Sequence, residues 1–299
     1  MNPPAIVSSS RTMRDFSLGC MLPVAEWADL NRTAIFADPM LRRYVSPFPP
    51  EALMQNTSGL TSEADFAAHG AHFWIALSQA STKPLTEFAS ILDFGCGCGR
   101  LARMFKGHPG RIVGCDIDKR HVDWCSAALK YMETRLSPLR PPIPFPDNDF
   151  AAVISISVFT HLNEKSSRQF LQELARVCRP DGMLFLTVHG SRALERAISE
   201  RSIRAMLDVP DDLFEAGRRR FSRGQHAFIL QQGHLTTGGK TAFERLLKRC
   251  METDFFEYGI SFIPEQYVRN TWSRWFDVID YRAGALHDFQ DIVVLRPKK

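Results

Sequence analysis

Three glycines alternate with two cysteines in Gly95-Cys96-Gly97-Cys98-Gly99, directly after the apolar run Ile91-Leu92-Asp93-Phe94. A second run, Arg111-Ile112-Val113-Gly114-Cys115, ends on Asp116, 21 residues beyond Gly95. Glycine permits positive φ and lets a backbone approach a ligand with no Cβ in the way. In an open parallel sheet, ligands bind outside the carboxyl ends of the strands. A carboxylate closing the next strand can accept both hydroxyls of a ribose, so the glycine loop and Asp116 together read as a nucleoside site. The spacing is G-x-G-x-G rather than the dinucleotide fingerprint, whose third glycine would fall at Arg100. No Gly-Lys-Ser/Thr follows these glycines, as a P-loop requires.

The elements that must position this loop follow from hydrophobic periodicity. Ile91–Phe94, Arg111–Asp116, Ala152–Ser157 and Met183–Val188 are short apolar runs that read as buried strands. Between them lie amphipathic stretches. One opens with Leu101, Ala102, Met104 and Phe105. One spans Lys119 to about Arg135, with Val122, Cys125, Leu129 and Met132 at helical spacing. One spans Glu164–Cys178, with Phe170, Leu171, Leu174 and Val177 on one stripe. Pro180-Asp181-Gly182 reads as the stop of that last helix. Strands that alternate with helices and are apolar nearly throughout predict a parallel sheet covered on both faces. Near the end, Pro264 opens a short helix to about Ser273. Phe276–Arg282 and Asp291–Arg296, joined by a loop over Gly284–Asp288, predict an antiparallel pair at a sheet edge.

With Asp93 just before the glycines, this segment strongly resembles motif I of the class I S-adenosylmethionine-dependent methyltransferases. Asp116 matches the acidic residue those enzymes place on the cofactor ribose. The resemblance extends through Pro144-Phe145-Pro146-Asp147-Asn148-Asp149-Phe150, Ser155-Ile156-Ser157-Val158-Phe159-Thr160-His161-Leu162 and Arg179-Pro180-Asp181-Gly182-Met183. In that family these are the entry to the fourth strand, its carboxyl end and the turn before the fifth. The match runs from Ser90 to Gly190, about a third of the chain. It departs from the family at Ala151, where Asp is common, and in Ser137-Pro138-Leu139-Arg140-Pro141, which holds no identifiable adenine partner. Backbone amides or Asp147 and Asn148 are the candidates for that contact. The resemblance implies a Rossmann-like, doubly wound, seven-stranded, mostly parallel sheet with an antiparallel terminal strand and helical lid segments. It implies S-adenosyl-L-methionine as cofactor, held by Asp93, Gly95, Cys96, Gly97, Gly99, Asp116, Ile117 and Ser157. It also sets the carboxyl end of the fourth strand near the transferring methyl.

His161, four residues past Ser157, is then the first candidate for substrate contact or general base, since imidazole takes a proton near neutral pH. His189, after the fifth strand, is the second. His234, Tyr258 and Tyr267 could line the acceptor pocket. Ser157-Val158-Phe159 is not the Asn/Asp-Pro-Pro-Tyr/Phe used on exocyclic amino groups, which favours an oxygen of a small molecule or glycan as acceptor. RNA or protein methylation is the alternative, and an inactive cofactor-binding partner subunit is a second. No metal is expected. His69 and His72, three apart on a helix over Glu63–Ala80, lack an acidic partner, and Cys96-x-Cys98 lacks a second cysteine pair.

Composition bounds these readings. The 299 residues carry 37 Lys+Arg against 33 Asp+Glu, too small an excess to argue a nucleic-acid partner. The Arg218–Arg223 run reads as a solvated helix end. Seven cysteines in a chain of this length do not describe a disulfide framework, so reduced thiols and a cytoplasmic setting are expected. No window approaches the ~20 apolar residues of a membrane span, and Arg11, Arg14 and Asp15 interrupt any signal sequence. Oligomerisation is left open. The expected organisation is an N-terminal lid or substrate-side segment at 1–83, a methyltransferase core at 84–190 and 253–299, and a helical cap at 191–252. The Pro-rich stretch at Pro47, Pro49 and Pro50 falls in the first of these. Gly217, Gly224, Gly233 and Gly238-Gly239 are expected to break the helices of the cap. The aromatic tail from Phe255 to Phe276 is expected to form core and pocket wall.

Overall fold

The computed structural model describes residues 46–232 and 257–298. Two compact units divide the chain. One comprises the residues through Asp116 with Arg120–Leu136, and the other comprises Ile117–Lys119 with the chain from Ser137 onward.

In the first unit, helices α1 (Glu51–Ser58) and α2 (Glu63–Ala80) precede β1 (Ser90–Phe94), β2 (Arg111–Asp116), α3 (Lys119–Ala128) and β3 (Met132–Leu136). The α2 start is set by Ser62, whose hydroxyl accepts from the Asp65 N–H at 3.0 Å. β1 is buried along its whole length and pairs in parallel with β2, Leu92 opposite Val113. β2 pairs in parallel with β3.

The second unit begins with β4 (Phe150–Ser155), α4 (Glu164–Val177) and β5 (Cys178–Val188). It continues with α5 (Ser191–Ser199), α6 (Arg201–Met206), α7 (Asp211–Ser222) and β6 (Ala227–Gln232). It closes with β7 (Tyr258–Phe262), α8 (Glu265–Thr271), β8 (Phe276–Leu286) and β9 (Gln290–Pro297). β4 and β5 are parallel. β9 runs antiparallel to both β5 and β8. Asn163 caps α4, accepting from the Ser166 N–H at 2.8 Å, and the stripe Phe170, Leu171, Leu174 and Val177 is buried, as its spacing predicts. The seven-stranded mixed sheet has the order β3-β2-β1-β4-β5-β9-β8, and β6 and β7 make a separate two-stranded sheet.

Several sequence expectations are corrected. The helix expected to run to Arg135 stops at Ala128, and Met132–Leu136 is a strand. That strand is mostly exposed beyond Met132, so it lacks the apolar run that marks a buried strand. The stretch opening at Leu101 forms only a 3-10 turn, Ala102–Phe105. α4 ends before Pro180, and Pro180-Asp181-Gly182 lies within β5: Phe150 pairs with Cys178 but Ala152 with Met183, so the register shifts across these residues. Gly284 belongs to β8 rather than to a loop.

The proline stretch leads into a helix the sequence reading did not contain, α1, with Pro50 just before its first turn. Gly217 does not break its helix. It sits inside α7, buried, where a Cβ would come 2.9 Å from Ile229 Cδ1. The segment 191–252, expected to be a helical cap, is not wholly helical, since β6 pairs with β7. Arg218–Arg220 are exposed at the end of α7, the solvated helix end that was expected. Gly233, Gly238, Gly239 and His234 lie outside the described residues.

Candidate active site

β1 delivers the glycine loop of the first unit. The Gly95 and Cys96 N–H groups both donate to Cys115 O, at 2.8 and 3.0 Å, tying the loop to the end of β2. Gly95, Gly97 and Gly99 all have positive φ, at 77°, 53° and 86°. A Cβ on Gly97 would lie 2.5 Å from Thr57 Cγ2 of α1, so glycine is required there for space as well as for φ. Cys96 and Cys98 are buried, with Cys98 in contact with α1: Thr57 Oγ1 donates to Cys98 Sγ at 3.2 Å. Among the described residues Cys96, Cys98, Cys115, Cys125 and Cys178 are all free thiols.

Asp116 reaches back to this loop. Its Oδ2 accepts the Gly97 N–H at 2.9 Å, and its Oδ1 lies 3.5 Å from His121 Nδ1 on α3. His121 Nε2 is in turn 3.2 Å from Thr57 Oγ1. Neither Thr57 nor His121 was singled out from the sequence. Residues 64 apart in the chain meet here, and no local spacing encodes that meeting. Ile117 follows Asp116 and is partly exposed.

Asp93 is 3% exposed, and its Oδ2 is buried with no hydrogen-bond partner. Burial, with the Asp116 carboxylate second, raises its pKa to about 7, and Arg100 opposes the shift. A buried, unsatisfied carboxylate oxygen beside a glycine loop is an expensive feature unless a cation or donor completes it. These carboxylate acceptors fit S-adenosyl-L-methionine, which brings an ammonium, a sulfonium and ribose hydroxyls.

At the carboxyl end of β4, in the second unit, Ser157 adopts φ 60°, an uncommon conformation for a residue with a Cβ. Its N–H donates to Thr187 Oγ1 at 2.8 Å, and its Oγ accepts from Gln290 Nε2 at 2.9 Å. Gln290 was not foreseen either. His161 is partly exposed. Its Nδ1 lies 2.9 Å from Gly259 O, and its ring stacks on Tyr258 at 4.7 Å and 11°. Burial lowers its pKa and the Gly259 carbonyl offsets part of that.

His189 is placed differently. It is 4% exposed between the rings of Phe262 and Phe289, and burial drives its pKa down to about 3. Tyr267 is buried on α8 and donates to Glu164 Oε1 at 2.7 Å.

Asp147 and Asn148, the adenine candidates, are engaged with the last turn of α4. Arg176 pairs with Asp147 at 2.6 Å, and the Asn148 N–H donates to Arg176 O at 2.9 Å. His69 packs on α2 against the Phe73 ring at 6.3 Å. Among the described residues no group of three His, Cys, Asp or Glu could hold a metal ion, and no helix is long and apolar enough to cross a membrane.

Residues 92–186 match the family described as methyltransferase domain. The chain carries a class I S-adenosylmethionine-dependent methyltransferase domain. The methyltransferase domain has curated relatives across kingdoms. The tRNA (carboxymethyluridine(34)-5-O)-methyltransferase of Arabidopsis thaliana is 32% identical over 111 residues, covering 36% of this chain and 26% of that protein. The probable tRNA methyltransferase 9B of Mus musculus is 26% identical over 118 residues, covering 38% and 24%. The sphingolipid C9-methyltransferase 2 of Gibberella zeae is 25% identical over 115 residues, covering 36% and 22%. The chain thus spans about a quarter of the length of these relatives. Among solved structures, the PH0226 protein from Pyrococcus horikoshii OT3 shares the fold. It matches with TM-score 0.55 and 15% identity over 84% of this chain and all of that one.

Proposed function

We propose that the chain transfers the methyl group of S-adenosyl-L-methionine to an oxygen of a small molecule or sugar. The carrying observation is the orphaned, buried Oδ2 of Asp93 beside the glycine loop. In this reading Asp93, Gly95, Cys96, Gly97 and Gly99 hold the methionine part, and Asp116 with Ile117 holds the ribose. Ser157 contributes from the carboxyl end of β4. The cofactor supplies an electrophilic methyl on a sulfonium, and transfer is an in-line displacement. The chain's share of the work is alignment and exclusion of water.

A hydroxyl acceptor benefits from a base, and a neutral, partly exposed imidazole at His161 supports that choice. His189, enclosed by two phenyl rings with its pKa pushed to about 3, supports a packing role instead.

RNA methylation is the second reading. It is favoured by relatives named as tRNA methyltransferases and by the exposed Arg218–Arg220. The domain organisation we propose keeps 1–83 as a lid or substrate-side segment and 191–252 as a cap. β7 extends the cap, because it pairs with β6.

Calorimetry with S-adenosyl-L-methionine tests the core of the proposal. The wild-type chain is expected to bind, and Asp116→Ala and Gly97→Val are expected to lose binding while keeping the wild-type circular dichroism spectrum. Wild-type affinity in both variants would reject the placement of the cofactor.

A further inference from the structure

The strand β7 does more than close the cap sheet. Its Gly259 carbonyl meets His161 Nδ1 at 2.9 Å, and the preceding Tyr258 ring lies parallel to the imidazole at 4.7 Å. A carbonyl oxygen can only accept, so the proton of the neutral ring resides on Nδ1. Nε2 is then the nitrogen with the lone pair. It is not among the buried, partnerless side-chain atoms of the described residues, whereas Nδ1 of His189 and Nδ1 of His226 are.

The backbone that supplies the carbonyl is itself held in place. Ser261 N–H donates to Thr160 O at 2.8 Å, one residue before His161, and Ile263 N–H donates to His189 O at 2.8 Å. Ser261 Oγ donates to Leu162 O at 2.6 Å. β7 therefore brackets the histidine from both sides of its own turn. Gly259 must be glycine, because a Cβ there would fall 2.1 Å from Ile229 O of β6.

We propose that β7 is the positioning device of a general base. Gly259 O fixes the proton on Nδ1 of His161, Tyr258 fixes the ring plane, and Nε2 accepts the proton of an acceptor hydroxyl. This rests on the methyl-transfer reading above. In the reacting complex the acceptor oxygen bonds to the methyl carbon, and the broken S–C bond leaves its electron pair on sulfur. The hydroxyl proton passes to Nε2, and the resulting imidazolium returns it to water after the product leaves. His161 is the catalytic residue, and Tyr258 and Gly259 are positioning residues.

Two titratable groups interact with this ring, and others sit on the elements that hold it. His189 comes from the end of β5 and Tyr258 from β7. Glu257 precedes β7 and accepts from Asn163 Nδ2 at the start of α4. Glu164 of α4 binds the Tyr267 hydroxyl, and His226, just before β6, binds Ser261 Oγ at 2.8 Å.

Long-range 15N–1H spectra of the full chain labelled with 15N-histidine read the tautomer directly, with His161 assigned by the loss of its signals in His161→Gln. The expected result at neutral pH is a protonated Nδ1 and a bare Nε2. Diethyl pyrocarbonate, which acylates accessible neutral imidazole, is expected to modify His161 and to spare His189 and His226, with a midpoint below the ordinary 6.5. Tyr258→Phe keeps both results. Tyr258→Leu mixes the tautomers and returns the midpoint toward 6.5. Transfer of labelled methyl to a fractionated extract slows about 10²–10⁴-fold in His161→Gln, the usual contribution of a positioned base, and by a lesser factor in Tyr258→Leu. A proton on Nε2 in the wild type, or a Tyr258→Leu variant with unchanged tautomer and midpoint, overturns the proposal. S-adenosylhomocysteine binding is measured by calorimetry on the same samples. If it binds while the tautomer is wrong, only this inference falls. If it does not bind, the methyl-transfer reading falls, and this one with it.

Discussion

Asp93 carries two opposed demands. Folded, it keeps its proton to about pH 7, whereas an ordinary aspartate releases it near 3.8. The folded state therefore binds more protons between those values, and stability falls as pH rises through that window. Above pH 7 the full cost of an ionised, unpartnered carboxylate is present. Asp93→Asn removes that cost. We predict that this variant, without ligand at pH 8, is more stable than the wild type by on the order of 2–4 kcal/mol, read as a higher melting temperature. At pH 4 the two should melt alike. The same variant should bind S-adenosylhomocysteine about tenfold or more weakly, since it loses a charge-assisted contact. Wild-type binding should likewise weaken as pH falls below 7. Equal melting at pH 8 would show that Asp93 is already satisfied.

The residues of this site differ in how far the chain advertises them. Asp93, the three glycines and Asp116 could be read in order, because two strands and a turn bring them together with only local chain between them. Thr57, His121, Gln290 and Gly259 could not. Each is an ordinary residue at an ordinary position, and each meets a partner 64 to 133 residues away.

At the scale of elements, the reading succeeded where burial was uniform. β1, β4 and the Met183–Val188 part of β5 are buried throughout, or almost so, and appear in the sequence as apolar runs. β3 failed that test because it is mostly exposed, and α1 failed because its single buried residue, Met54, leaves no stripe. Gly217 and Gly259 separate packing from backbone crowding. A Cβ on Gly217 would press on the flexible end of Ile229, at 2.9 Å, whereas one on Gly259 would strike the Ile229 carbonyl, at 2.1 Å. We predict that Gly217→Ala lowers stability by about 1 kcal/mol or less, because the Ile229 tip can shift and alanine favours the helix. Gly259→Ala should cost about 2 kcal/mol or more, because a strand pair must part. Urea denaturation monitored by tryptophan fluorescence distinguishes them, and equal midpoints would contradict the packing of β6 on β7.

For the whole molecule, the open question of acceptor size has a direct consequence. A small-molecule or glycan acceptor predicts that methyl label transferred to a cell extract survives ribonuclease and passes a filter that retains the chain. An RNA acceptor predicts label destroyed by ribonuclease, and binding that falls steeply with salt as phosphate counterions are released. We expect the first outcome. Retention of all label in a ribonuclease-sensitive fraction would replace the oxygen-of-a-small-molecule reading with the nucleic-acid one.

What the amino-acid order determined alone was the alternation of strand and helix and the glycine loop with its carboxylate, since periodic burial and short-range turns are written locally. The tertiary structure decided the rest: the helix α1 set against the loop, the strand β7 laid beside His161, and the two aromatic rings that enclose His189. Those outcomes depend on which distant groups come to lie against a side chain and exclude water from it. That is a property of packing, which no single segment contains.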